Sequence, residues 1–363
     1  VTVGFYSPLP PVRTGVADYA AALLTELERL CEVRVNAPGE VCLYHLGNNR
    51  LHRQIYFQAL RRPGVAVLHD AVLNHLLLGC LDRDAYVSEF VYNYGEWSRA
   101  LACELWGAAG QCAHDPRFFD RALVRRVAES SRAVIVHNAG AARIVAAHAP
   151  GARIVEIPHL ARPPGLPDSA AVRAWRDRHG ISPRTFLFGV FGYLRESKRL
   201  ASVLRALETV RGAGRDAALL VAGEFVSSDL ARAIAPLLAQ PGVLHLPYAE
   251  ENEFRLRVSA VDAGINLRYP SAGETSGITI RLMAAAKPVL LTAGEENAGF
   301  PEAACIRVDS GVAEARMLAE YMTWLAASRE AAREIGRRAV IHIEAFHSPE
   351  VCARRYWEVL SSC

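Results

Sequence analysis

Twelve short apolar runs rich in Val, Ile and Leu punctuate the chain, most of them separated by longer segments with helical spacing of their apolar residues. In the first half they are 1–6, 33–36, 41–46, 65–69, 133–137 and 153–157; in the second, 186–191, 218–222, 243–246, 263–267, 288–291 and 305–308. The runs do not alternate polar with apolar. A strand that is apolar on both faces must be covered on both sides, and helices between successive strands supply that cover. The pattern predicts an α/β chain of doubly wound parallel sheets, Rossmann-like in layering.

Twelve strands are too many for one such sheet, and a chain of 363 residues is long enough for two domains. The break falls at His159-Leu160-Ala161-Arg162-Pro163-Pro164-Gly165-Leu166-Pro167, where three prolines and a glycine favour an extended connector. Domains are accordingly expected at 1–165 and 166–344. Beyond 308 the pattern is helical, with Ser348-Pro349-Glu350 as the start of a last helix.

Composition removes several function classes. A net charge of +3, set against 41 basic and 38 acidic side chains, gives no reason to expect a nucleic-acid partner. The chain opens on the strand-like run 1–6, so no secretory leader is expected, and no apolar stretch reaches the roughly 20 residues that span a bilayer. A soluble, cytoplasmic protein is expected, with loose attachment to a membrane surface left open. The eight cysteines show no CxxC or metal-ligand spacing and read as reduced thiols. Asp82-Arg83-Asp84 has the form of a metal-binding D-x-D triplet but sits between helical segments, where it reads as a helix cap; no metal is expected. The stripe Tyr86, Phe90, Tyr94, Trp97, Leu101 and Leu105 has helical spacing and reads as core.

Ligands of open parallel sheets bind at the carboxyl ends of the strands, where a turn enters a helix. Three segments fit. Ser7 to Tyr19 follows the first strand; its Gly15 permits close backbone approach, and the helix it opens presents free N–H groups to an anion. A proline-stiffened surface loop is the alternative. Asp18, one turn into that helix, either faces an acceptor or complements the helix N-terminus. The second segment, Gly189 to Arg199, delivers Arg195, Lys198 and Arg199 just before a helix, as a pyrophosphate site or a solvated basic turn. The third, Tyr269 to Arg281, opens a helix that Ser276 can cap, with the N–H groups after Gly277 free for phosphate oxygens. Glu274 in its loop suits a ribose diol better than bare phosphate, and Arg281 shares a helix face with Gly277.

The run Gly273-Glu274-Thr275-Ser276-Gly277, continued by Arg281-Leu282-Met283-Ala284-Ala285-Ala286-Lys287-Pro288-Val289, resembles the donor-binding motif of GT4 glycosyltransferases. The Lys198 turn resembles that family's basic diphosphate site, Thr14-Gly15 its first glycine loop, and His69-Asp70 the histidine ending its fourth strand. The matches occur in the family's order from Ser7 to Pro288. They imply a GT-B fold, with a C-terminal helix (345–363) recrossing to the N-terminal acceptor domain and a donor-binding second domain. They also imply a retaining, metal-independent glycosyltransferase needing no cofactor. Its donor is a nucleotide diphosphate sugar, and its acceptor a saccharide, a lipid-linked compound or a small molecule.

By the same resemblance, Glu274 binds the ribose, and the backbone at Ser276, Gly277 and Ile278 holds the diphosphate. Lys198 neutralises it, Gly15 approaches it from the other domain, and His69 contacts the transferred sugar. Two departures stand out: Arg281 occupies the place of a second glutamate, and Tyr193 that of the usual arginine, with Arg195 in a shifted position. The rival expectations are a hydrolysing nucleotide-sugar 2-epimerase of the same fold, and a sugar-nucleotide binding protein that has lost catalysis.

Overall fold

The computed structural model describes residues 1–113, 115–161 and 165–363. Among the described residues twelve strands form two all-parallel sheets. The first contains β1 (Thr2–Tyr6), β2 (Glu32–Val35), β3 (Val41–Leu46), β4 (Val65–Leu68), β5 (Ala133–Val136) and β6 (Ile154–Glu156), in the order β2-β1-β3-β4-β5-β6. The second contains β7 (Phe186–Phe191), β8 (Ala217–Ala222), β9 (Val243–Leu246), β10 (Ala263–Asn266), β11 (Val289–Thr292) and β12 (Ile306–Val308), in the order β12-β11-β10-β7-β8-β9. Each expected strand is present, within a residue or so at its ends. The centre of the proline connector, Arg162-Pro163-Pro164, lies outside the described residues.

Both faces of each sheet are buried, which explains the unalternating strands. Along β3, Cys42, Tyr44 and Leu46 enter one core while Val41 and Leu43 enter another. Along β7, Phe186, Phe188 and Val190 pack on one side, Leu187 and Phe191 on the other. Among the described residues the edge strands β2, β6 and β9 are the most open to solvent.

The chain's end returns to its beginning. The helix Arg329–Phe346 buries Ala339 and Ile343 against the second sheet. The next helix, Pro349–Ser361, is capped by the Ser348 hydroxyl and buries Cys352, Tyr356 and Leu360 in the core of the first. Tyr356 and Tyr19 bond through their hydroxyls at 2.9 Å. Burying a side chain of this size contributes about 1.5–3 kcal/mol, enough to fix the crossing.

Asp82 accepts from Ala85 N–H at 2.9 Å, so the D-x-D triplet is a helix cap. The aromatic stripe is not one helix. Gly95, at φ +89°, ends the helix Arg83–Tyr94, and a new one runs Arg99–Gly107. Tyr86, Phe90 and Leu105 are fully buried, but Trp97 in the intervening turn is 73% exposed. Among the described residues no helix is long and apolar enough to cross a membrane.

Histidines line the carboxyl edge of the first sheet. His45 lies in β3, His69 follows β4, His137 follows β5 and His159 follows β6. His69 Nε2 is 3.0 Å from His45 Nδ1, and the rings of His69, His137 and His159 surround Tyr19 at 4.7–5.1 Å. His347 donates from Nδ1 to the His159 carbonyl. Burial holds all five neutral: His137 and His347 are pushed down to about 4 and His159 to about 3, with His45 and His69 also well below the usual range. An unfolded chain protonates these imidazoles below about pH 6.5 while the folded chain does not. Their contribution to stability is therefore complete above that pH and is lost on acidification. Asp70 and Glu296, both raised, pull the other way, and five imidazoles outweigh them. We expect the urea midpoint to hold near pH 7.5 and fall steeply between pH 6.5 and 5, by on the order of 1.4 kcal/mol per pH unit for each proton taken up. A flat profile over that range would contradict the neutral cluster.

Candidate functional site

In each sheet the strand order reverses once, between β1 and β3 in the first and between β7 and β10 in the second. A crevice opens at such a reversal, outside the carboxyl ends of the strands. In this chain the two crevices face each other, because the loops beyond β4 and β10 are bonded together. The N–H groups of Ala71 and Val72 both donate to the Ala272 carbonyl, at 2.8 and 3.1 Å. Asn138 Nδ2 donates to the Gly273 carbonyl at 3.0 Å and to Thr275 Oγ1 at 2.9 Å. Ala272, from the second half, is buried in the first half's core. Gly273 has φ +75°, and a Cβ there would stand 2.9 Å from the Ala71 Cβ, so both conformation and space select glycine.

Lys198 occupies the β7/β10 crevice. It is 7% exposed, and its Nζ donates to the Phe191 carbonyl at 2.7 Å and to Asn266 Oδ1 at 3.2 Å, at the ends of the two strands flanking the reversal. Those are its partners among the described residues, so a third N–H remains for a ligand. Gly192 leaves room above it: a Cβ there would lie 4.0 Å from Nζ. Arg195 is exposed and acts electrostatically on both Lys198 and Asp70. Arg199 leaves the site to pair with the buried Glu314 at 2.9 Å.

Ser276 caps the helix Gly277–Ala284, accepting from Thr279 N–H. Gly277 and Ile278 therefore begin the helix with N–H groups that lack intrahelical partners. A Cβ on Gly277 would lie 3.7 Å from His159 Cε1 and Nε2, so the first domain's histidine edge meets this helix start. Glu274 is held within its own loop: Arg268 pairs with Oε1, while the Ala272 N–H and the Ser271 hydroxyl donate to Oε2 at 2.8 and 3.2 Å. Its charge acts on Asp70 and Lys198. Arg281 faces elsewhere. It lies 4.0 Å over the Phe254 ring and pairs with Glu251 at 2.5 Å.

From the first domain, Thr14 caps the helix Gly15–Leu27, its hydroxyl accepting from Ala17 N–H at 3.1 Å. Among the described residues, nothing outside its own helix backbone and chain neighbours lies within 4 Å of where a Gly15 Cβ would stand. Asp18 is exposed in the first turn. The loop before it reaches across the cleft. Tyr193 donates from its hydroxyl to the Arg13 carbonyl at 2.9 Å, and Arg13 pairs with Glu250 at 3.0 Å and lies 4.7 Å over the Tyr248 ring.

His69, Lys198, Arg195, Glu274, Ser276, Gly277 and Ile278 thus gather at the cleft, while Arg281 sits one turn further along its helix. Sequence reasoning passed over Asp70, Arg268 and Asn266. All three lie within two residues of a strand's carboxyl end, the signal that would have found them. Asp70 Oδ2 accepts from Asn48 N–H at 2.6 Å. Burial and the facing Glu274 raise its carboxyl to about 7 against the pull of Arg268 and Arg195. Burial, with Arg268 and Arg195 beside it, lowers Lys198 to about 7 against the pull of Glu274. Perturbed titratable groups of opposite kind gathered in one cleft mark it as a candidate functional site. A recess of about 200 Å³ continues the cleft between the helix Ala139–His148 and the loops after β10 and β11, lined by Gly140, Ile144, Ser271, Gly273, Glu295 and Glu296. Among the described residues no group of three or more His, Cys, Asp or Glu is placed to hold a metal ion.

No protein-family model matches the sequence, and no curated protein matches it. Solved structures share its architecture from end to end. Anabaena HepE in complex with UDP-glucose aligns with a TM-score of 0.69 at 14% identity, covering 100% of both chains. Sucrose-phosphate synthase from Thermosynechococcus elongatus aligns at 0.71 and 13%, covering 99% of this chain and 98% of that one. WaaG, a glycosyltransferase involved in lipopolysaccharide biosynthesis, aligns at 0.63 and 13%, covering 98% and 99%. With two facing, doubly wound parallel sheets and a last helix returning to the first of them, the chain has the GT-B fold of these structures.

Proposed function

We propose that the chain is a retaining, metal-independent glycosyltransferase that moves a sugar from a nucleoside diphosphate donor to an acceptor hydroxyl. The observation that carries this reading is Lys198, buried between β7 and β10 beside the start of the Gly277 helix, with Arg195, Arg268 and Glu274 acting both on it and on Asp70 of the other domain. HepE, of the same fold, is complexed with UDP-glucose, which supports a nucleotide-sugar donor for this cleft.

Transfer breaks the bond between the anomeric carbon and the β-phosphate oxygen, leaving an electron pair on that oxygen. The acceptor oxygen bonds to the same face of the carbon, and its proton passes to the departing phosphate. No protein nucleophile is required. Catalysis is then electrostatic: Lys198, Arg195, Arg268 and the N–H groups of Gly277 and Ile278 stabilise charge growing on the diphosphate. Asp70 and Glu274 take hydroxyls of the transferred sugar, and His69 closes the pocket beside them. Docking of the two domains through Ala272 keeps water out and orients donor against acceptor. Acceptors of the saccharide, lipid-linked and small-molecule classes all suit such a cleft, and the cytoplasm, where nucleotide sugars are made, is the compartment this reading favours.

One observation favours a second reading. Asp70 and Glu274 face each other across the cleft, and a hydrolysing nucleotide-sugar 2-epimerase needs two such groups near the anomeric carbon. Incubating the protein with UDP-, GDP-, ADP- and dTDP-sugars separates the two. Turnover that requires an added acceptor supports transfer, whereas an epimerised sugar formed without acceptor supports the second reading. Lys198→Ala is expected to lower kcat by on the order of 10²-fold or more, as loss of one such donor does elsewhere. Near-normal turnover in that variant would remove Lys198 from the role.

Affinity has a pH dependence of fixed sign. The bound diphosphate requires Lys198 charged, but in the empty cleft the ammonium loses its proton at about pH 7, and Asp70 gains negative charge over the same range. Binding therefore takes up protons above pH 7. The Kd measured by calorimetry should rise by up to about tenfold per pH unit between pH 7 and 8.5. A Kd that is constant or falls over that range would contradict the buried, neutral lysine.

A further inference from the structure

We infer that Glu251, aimed by Arg281 and Arg255, holds the ribose diol of the donor nucleotide. The inference rests on the nucleotide reading above and assigns a part of it that Glu274, placed there on the transferred sugar and held in its loop by Arg268, Ser271 and Ala272, leaves open.

The order of groups along the Gly277 helix sets the place. If the diphosphate sits at the helix start, the ribose comes next, and Arg281 lies four residues, roughly 6 Å, further along the axis. Arg281 does not itself suit a diol, because a guanidinium only donates and a neutral diol is bound best by an acceptor. Instead it brings a carboxylate. Its guanidinium lies over the Phe254 ring at 4.0 Å and pairs with Glu251 Oε1 at 2.5 Å. Arg255 pairs with the same oxygen at 2.8 Å. Both ion pairs fall on Oε1, so among the described residues Oε2 retains its lone pairs for two hydroxyls.

Stability does not account for this arrangement. The Glu251 side chain is 51% exposed, and ion pairs this open contribute about 0–1 kcal/mol each. Two arginines and an aromatic ring converging on one half-exposed carboxylate are better explained by the need to fix its direction. The neighbouring loop supplies the rest of a nucleoside site. Tyr248, 41% exposed, stands just before the helix that Glu251 opens, beneath Arg13 from the opposite domain.

The test uses paired probes on the whole protein: UDP with 2′-deoxy-UDP, ADP with 2′-deoxy-ADP and GDP with 2′-deoxy-GDP, with inorganic pyrophosphate as a base-free control. A hydrogen bond to a charged group predicts that the wild type prefers its ribonucleotide by roughly ten- to a hundredfold. Glu251→Gln should cut that preference below about threefold, with the deoxynucleotide and pyrophosphate affinities unchanged. Glu251→Ala should do the same, and the two variants together separate a folding defect from a lost contact. A wild type that binds ribo- and deoxynucleotides equally overturns the inference and leaves the nucleotide reading standing. Variants that discriminate as the wild type does overturn it and return the diol to Glu274. A wild type that binds no nucleotide in the panel overturns the proposed function itself, and this inference with it.

Discussion

The cleft is organised around one joint between the loops after β4 and β10. Ala272 O accepts from the N–H groups of both Ala71 and Val72, and by doing so it joins the loop after β10 to the loop after β4. Each bond contributes on the order of 1 kcal/mol net, yet the pair sets the register between two sheets that otherwise share no strand. Two of the site's carboxylates lie within a few residues of that joint. Asp70 immediately precedes one side, and Glu274 lies two residues beyond the other. Gly273 lets the chains meet, since a side chain there would strike Ala71 and Ile144. The glycine that opens the Gly273-Glu274 motif therefore answers to contact between domains as well as to a ligand.

Charge in the joint is balanced but not paired off. Lys198, Arg195 and Arg268 face Asp70, Glu274 and Glu296, and only Arg268 with Glu274 forms a close ion pair. Lys198 is bonded to a carbonyl and an amide instead, so its positive charge has no dedicated counter-ion beside it. Burying an uncompensated cation is costly, which is why its proton is held loosely. An anionic ligand supplies what is missing. On the function proposed above, the binding of a diphosphate and the charging of Lys198 are one event.

The fold was legible because its physics is local and repetitive. Val65 to Leu68 and Phe186 to Phe191 are apolar on both faces, and only strands covered on both sides tolerate that. The caps at Ser276 and Ser348 were equally readable, since each needs only an oxygen placed before a helix, whereas the cap at Thr14 was missed beside its glycine. Lys198 and Glu274 announced themselves as charges in glycine-bearing turns after strands. What the sequence did not disclose were pairings made at long range. Asp70 lies 204 positions from Glu274 in the chain, and no local pattern links them. Arg268 reads as an ordinary surface cation until its loop folds back onto Glu274. The direction of Arg281, away from the helix start and onto Phe254, is set by a neighbouring helix that sequence spacing cannot locate. Gly95 was overlooked for the opposite reason. Its effect is local, but the apolar period runs on through it and hides the break.

The central claim is spatial: one diphosphate lies between the Lys198 turn and the start of the Gly277 helix, with His69 and Asp70 opposite. A crystal structure of the protein soaked with the nucleoside diphosphate it binds most tightly tests this directly. The account places diphosphate oxygens about 3 Å from Lys198 Nζ and from the Gly277 and Ile278 nitrogens. An ordered nucleotide bound elsewhere, with Lys198 still bonded only to Phe191 and Asn266, would contradict it.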